Sequence, residues 1–204
     1  MKKVILILAA AALTVSASAQ DFSWGVKAGA NLATVTNTDG AELKPSIYLG
    51  AFAEWKFTDL IGFAPELVYS RQGTSGSSSE DLGGGVTVDA KTKMRLNYLN
   101  VPLTVKFYVV DNLSIDVAPQ VGFMLNAKAH VKATSAGTSA TVNQDLGDQF
   151  NKIDFGVGLG ATYNIEKIFV QARYNLGLAN LAKDYDGDDK PKNGVIQIGV
   201  GYRF

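Results

Sequence analysis

The sequence predicts an all-β fold, an eight-stranded antiparallel up-and-down transmembrane β-barrel, and three observations carry that prediction. From Phe22 onward apolar residues recur at every second position, the period of a strand. The connections between these segments alternate strictly between short and long, as in barrels with tight turns at one membrane face and loops at the other. A leader with the marks of secretion precedes them.

In that leader, Lys2 and Lys3 stand before an apolar run over residues 4–13, and Ala17-Ser18-Ala19 supplies the small-x-small pattern of signal cleavage. Cleavage is expected between Ala19 and Gln20, giving a signal peptide over 1–19 and a barrel domain over 20–204. A membrane anchor is the competing reading, but the run is short of the roughly 20 residues a spanning helix needs. No Cys stands at the cleavage site to carry a lipid.

Eight segments follow in order. The first sets Phe22, Trp24, Val26, Ala28, Ala30 and Leu32 against Ser23, Gly25, Lys27, Gly29 and Asn31. In the second, Ile47, Leu49, Ala51, Ala53, Trp55 and Phe57 oppose Tyr48, Gly50, Phe52, Glu54 and Lys56. The third opposes Phe63, Pro65, Leu67 and Tyr69 to Gly62, Ala64, Glu66 and Ser70. Leu99, Val101, Leu103, Val105 and Phe107 alternate with Tyr98, Asn100, Pro102, Thr104 and Lys106 in the fourth. The fifth runs from Leu113 to Leu125 with Asp116, Gln120 and Asn126 on its polar face. Phe155, Val157, Leu159, Ala161 and Tyr163 face away from Asp154, Gly156, Gly158 and Gly160 in the sixth. The seventh contrasts Ile168, Val170, Ala172, Tyr174 and Leu176 with Gln171, Arg173 and Asn175. The last contrasts Ile196, Ile198, Val200, Tyr202 and Phe204 with Gln197, Gly199, Gly201 and Arg203. Pro65, Pro102 and Pro119 each remove a ladder donor, so bulges or bends are expected there.

Residues 58–59, 110–112 and 164–167 are short turns, whereas 33–44, 71–93, 127–149 and 179–192 are long and polar. With the N-terminus periplasmic, Phe22, Trp24, Trp55, Phe57, Phe63, Phe107, Tyr163, Tyr202 and Phe204 fall at the short-turn rim as an interfacial girdle. A soluble sandwich or lipocalin-like barrel would alternate too. Leader, loop asymmetry and girdle together favour the membrane barrel, because in hydrocarbon only a closed sheet satisfies every strand's backbone.

Composition narrows the function. Among 204 residues, 19 Lys+Arg balance 19 Asp+Glu, so no basic excess marks a nucleic-acid binder. One His and no Cys exclude a multi-His centre, a thiolate metal site and a thiol nucleophile. Twenty-one Gly with 10% aromatic and 19% charged residues suit strands and tight turns.

The last residues, Gly201-Tyr202-Arg203-Phe204, resemble the C-terminal signature of bacterial outer-membrane proteins, which implies that Tyr202 and Phe204 are read by the barrel-assembly machinery. Three stretches resemble the PorT-like outer-membrane β-barrel family of Bacteroidota: Pro65-Glu66-Leu67-Val68-Tyr69-Ser70, Leu96-Asn97-Tyr98-Leu99-Asn100-Val101-Pro102-Leu103, and Asp154-Phe155-Gly156-Val157-Gly158. The architecture is similar to the small OmpX and OmpA-type barrels, without an expectation of OmpA's peptidoglycan-binding part after Phe204. These resemblances imply a fold and are nearly silent on activity.

The inward set predicted from alternation is Lys27, Glu54, Lys56, Glu66, Lys106, Asp116, Asp154, Arg173 and Arg203. An eight-stranded barrel is only wide enough for its side chains to fill it, so these read as a salt-bridged plug. Lys106 and Asp116 flank the Asp111 turn almost symmetrically and are expected to pair. Inward glycines at 156, 158, 160, 199 and 201 leave room for a file of water. Gly156-Val-Gly-Leu-Gly160 lacks the GxGxxG spacing and following helix of a phosphate loop. His130 reads as an exposed loop residue with Lys132, not Ser, two positions on. Asp184, Asp186, Asp188 and Asp189 resemble part of a Ca²⁺ loop but lack its full spacing and terminal Glu, and read as surface solvation.

The expectation is therefore a monomeric outer-membrane barrel with periplasmic termini, no enzymatic activity and no cofactor. Its partners are outer-membrane lipid, the assembly machinery and an unidentified surface partner met through the long loops, with no nucleic acid. A narrow channel for ions or small solutes is the alternative, and a surface enzyme a more distant one.

Overall fold

The computed structural model describes residues 22–36, 43–81, 87–135, 138–183 and 191–204. They form ten antiparallel strands: β1 Phe22–Thr36, β2 Lys44–Lys56, β3 Ile61–Gln72, β4 Ser75–Asp81, β5 Thr87–Val110, β6 Leu113–Ser135, β7 Thr138–Asp145, β8 Ile153–Ile165, β9 Ile168–Gly177 and β10 Lys192–Arg203. Eight of them close a ring, β1-β2-β3-β5-β6-β8-β9-β10 and back to β1, the last seam pairing Gly25 with Arg203 and Thr36 with Lys192. These eight are the segments that the alternating pattern marks out.

The burial pattern is that of a soluble protein turned inside out. Leu159 is 57% and Val200 56% exposed on the outer wall, while Lys27, Glu66, Asp116 and Arg173 are buried within. So continuous an apolar exterior is a lipid-contacting surface, since in water it would drive association. Closure of the ring leaves no open sheet edge at membrane depth.

Two features differ from the sequence expectation. The stretches 71–93 and 127–149 are largely strand, not loop: β4 pairs with the outer part of β5, and β7 with that of β6. β5 alone has 24 residues. At about 3.4 Å per residue it runs some 80 Å, where a spanning strand needs only about 9–11 residues. β4, β7 and the outer parts of β5 and β6 thus stand beyond the belt as a four-stranded sheet. His130 belongs to it, opposite Lys93 and Asn143, and its ring hydrogen-bonds the Asn143 side chain.

Register also runs straight past all three prolines, with Pro65 opposite Leu103, Pro102 opposite Gln120 and Pro119 opposite Val157. The two shifts in the β5–β6 ladder lie instead at Asn97/Tyr98 and Tyr108/Val110. Each proline does leave a local gap in one of its ladders, Pro65 toward β2, Pro102 toward β3 and Pro119 toward β5, as a missing donor would, with the register unchanged on either side.

Candidate functional site

The barrel's interior is the site, and its side chains come from alternate positions on every wall strand. Near mid-height Glu66 of β3 is the hub. Its carboxylate accepts from Lys27 Nζ of β1 at 2.5 Å, from both Arg173 guanidinium nitrogens of β9 at 2.8 and 3.2 Å, and from Thr104 Oγ1 of β5 at 2.8 Å. A forked guanidinium on a carboxylate fixes both planes, and a second cation and a hydroxyl fill the remaining lone pairs. Lys27 passes the chain on to Gln171 at 3.0 Å, and Gln171 Nε2 donates to Asp116 at 3.1 Å.

A second hub lies toward the short turns. Glu54 of β2 pairs with Lys106 at 3.3 Å and Arg203 at 3.1 Å, and accepts the Tyr108 hydroxyl at 2.5 Å. This hub floors a vestibule of about 460 Å³, lined also by Lys56, Asp111, Asn164 and Glu166. Lys56 stands at its rim, over the Tyr108 ring at 5.0 Å and within 3.7 Å of Asp59, outside the buried network.

Lys106 and Asp116 are register partners, yet they do not pair as the sequence suggested. Lys106 turns to Glu54, and fully buried Asp116 accepts from Ser114 at 2.7 Å, Thr162 at 2.6 Å and Gln171. Three neutral donors satisfy that carboxylate without a cation. Asp154 sits farther toward the long connections and accepts from Asn193 at 2.9 Å.

The inward glycines leave less room than composition suggests. A Cβ built at Gly201 would lie 2.1 Å from the Phe169 ring, and one at Gly199 would lie 2.3 Å from the Tyr48 hydroxyl. The space is occupied by Tyr48, Phe52 and Phe169, the last two packed edge to face at 5.3 Å. Gly156, Gly158 and Gly160 lie within β8 against Gln120, Asn175 and Arg173, and cradle no phosphate loop.

The feature that sequence reasoning missed is an apolar stopper. At the long-connection end Val35, Leu96, Tyr98, Ala127 and Leu181 form a buried cluster with Met94, Met124, Leu146 and Phe150 around it. Leu146 and Leu181 come from connections that read as polar, Phe150 directly follows the first of these, and a bridge from Phe150 to Ala182 ties the two stretches together. Isolated large apolar residues in otherwise polar loops were the available signal.

Outside the lumen, Trp24 stacks on Phe204 at 4.2 Å, Tyr202 meets Phe204 at 5.1 Å, and Phe22 meets Trp55 at 5.1 Å. The terminal aromatics therefore rivet the β1–β10 seam, where Phe204 N donates to Trp24 O at 2.9 Å. Ala19, Gln20 and the carboxylates at 184, 186, 188 and 189 lie outside the described residues. Among the described residues no three His, Asp or Glu side chains converge as metal ligands would.

Compared with known proteins, residues 18–183 match the family described as outer membrane protein beta-barrel domain. No curated protein matches. Among solved structures the chain is similar to Ail, the attachment invasion locus protein of Yersinia pestis, at 18% identity over 91% of this chain and 100% of that one, with a TM-score of 0.48. It is similar to Neisserial surface protein A at 12% identity, over 89% and 97% of the two chains, TM-score 0.45. For CarO of Acinetobacter baumannii the values are 14%, 88%, 98% and 0.41.

Proposed function

The chain belongs to the outer membrane protein β-barrel family, and from that premise we propose that it is a sealed, non-enzymatic barrel whose work is done at the cell surface. One observation carries the reading: β5 and β6 continue past the belt, with β4 and β7, as a projecting four-stranded sheet. A sheet held rigidly above a membrane is a platform for contact, and function concentrates on such projecting parts. Glu54, Glu66 and Asp116, each with its partners inside, support a lumen used for stability and not for passage. The apolar stopper supports the same view.

In this reading the termini and short turns face the periplasm, the protein is a monomer, and the PorT-like motifs mark its subfamily. Residues 1–19 direct export, and Tyr202 and Phe204 are recognised during assembly. The test is labelling in intact cells with a membrane-impermeant maleimide, using Thr141→Cys on β7 and Asp111→Cys in a short turn. Labelling of Thr141→Cys alone is expected. Labelling of Asp111→Cys alone would overturn the orientation and the surface role with it.

A further inference from the structure

Cations gather where the wall meets the projecting sheet. Between the outer end of β2 and the β4–β5 pair lies a cleft of about 420 Å³ lined by Lys44, Ser46, Arg71, Ser75, Lys93 and Arg95, with Pro45 and Ile47 at its edge. Four of these are cationic, and among the described residues no carboxylate lines it. Lys44 is only 8% exposed, its Nζ held by two neutral carbonyls, Met94 O at 2.6 Å and Gln72 O at 3.4 Å. Arg71 Nε is buried with no hydrogen-bond partner. No ion pair among the described residues includes any of the four.

The strand register aggravates the imbalance. Arg95 stands directly opposite Lys128, which has Asp145 on its other side, and Lys91 stands opposite Lys132 with Ser77 and Thr141 as their outer neighbours. Like charges facing one another across a ladder destabilise it, and a buried ammonium without an anion is worse. Lys93 and Arg95 are solvent-exposed, so an arriving anion could reach them, and it would relieve both the repulsion and the uncompensated charge of Lys44.

Position identifies the anion. Arg71 shares the outer face of β3 with Leu67 and Tyr69, and Ile47 is followed by Leu49 on the outer face of β2, so the cleft opens at the upper border of the apolar belt. A ligand seated here has its charge among the cations and its apolar part against Ile47, Leu49 and Leu67. We propose that the cleft is a built site for the terminal phosphate of a membrane lipid, with Arg71 and Arg95 as forks and Lys44 and Lys93 as point charges. The site rests on the barrel spanning a membrane, though not on which way it faces.

The test uses the full chain folded in phosphatidylcholine nanodiscs, alone or doped with phosphatidic acid, or with phosphatidylglycerol at equal mole fraction. Native mass spectrometry reads the retained lipid, and thermal unfolding the stabilisation. Selective retention of phosphatidic acid is expected, with a raised Tm, and roughly tenfold weaker retention in Arg71→Gln and in Lys93→Gln, as loss of one charge-assisted contact implies. Lys167→Gln, at the opposite end, should retain lipid as the unaltered chain does. Equal retention of both anionic lipids would overturn a built phosphate site in favour of diffuse attraction. Stabilisation by inorganic phosphate without phosphatidic acid retention would overturn the lipid as its source. Retention on the unaltered chain decides without any variant that misfolds, and a reversed labelling pattern in cells would leave it unchanged.

Discussion

Glu66 holds two buried cations at once, which makes it the residue on which the interior most depends. In Glu66→Gln the ammonium of Lys27 and the guanidinium of Arg173 would stay in the lumen without a counter-charge. Breaking one side of a buried pair costs about 3–5 kcal/mol, so denaturant unfolding in detergent should show a loss of that order. A loss under about 1 kcal/mol would mean that water reaches and screens the site. Gly201→Val drives a side chain into the Phe169 ring, and a loss of about 1–3 kcal/mol by the same assay is expected from overpacking. Period-two alternation assigned Lys27, Glu66, Arg173, Asp116 and Arg203 to the inner face from sequence. Their partners were not legible, because a partner depends on strand order around the ring and on the rotamer chosen at a crowded centre. Lys106 shows this: it reaches Glu54 on another strand in preference to the Asp116 directly across from it.

At the scale of elements, the eight wall strands were readable because lipid on one side and polar filling on the other impose the sharpest alternation a strand can carry. Beyond the belt that contrast fades. Around β5 and β6 the outer positions Lys91, Lys93, Lys128 and Lys132 alternate with Ala90, Thr92, Ala127 and Ala129, and small residues write a weak pattern. β4 and β7, rich in Ser, Thr and Asn, look like loop for the same reason. Replacing 75–92 and 129–144 by short turns should leave a barrel that still unfolds cooperatively, with its heat-dependent electrophoretic shift intact. Loss of that shift would show that the projecting sheet is part of the folding unit. The β1–β10 seam depends on its aromatics: Phe204→Ala removes the stack on Trp24, worth about 0.5–1.5 kcal/mol beyond the area buried. Its yield of folded protein in vesicles should fall accordingly, and an unchanged yield would separate the seam from assembly.

For the whole molecule, ring closure reconciles an apolar exterior with a charged interior. Hydrogen bonds around the ring remove every edge in the hydrocarbon, and carboxylates and cations shared across the lumen hold the walls to one another. The two hubs and the stopper lie in series along the axis, from the vestibule at the short turns to Leu181 at the long connections. A passage for ions would have to disrupt all three together. Single-channel recording of the folded protein in a planar bilayer tests this most directly. No steady conductance is expected, and none from Lys93→Gln, whose side chain lies outside the lumen. A stable open level in the unaltered protein whose ion selectivity shifts in Glu66→Gln would contradict it and make the inner charges a filter.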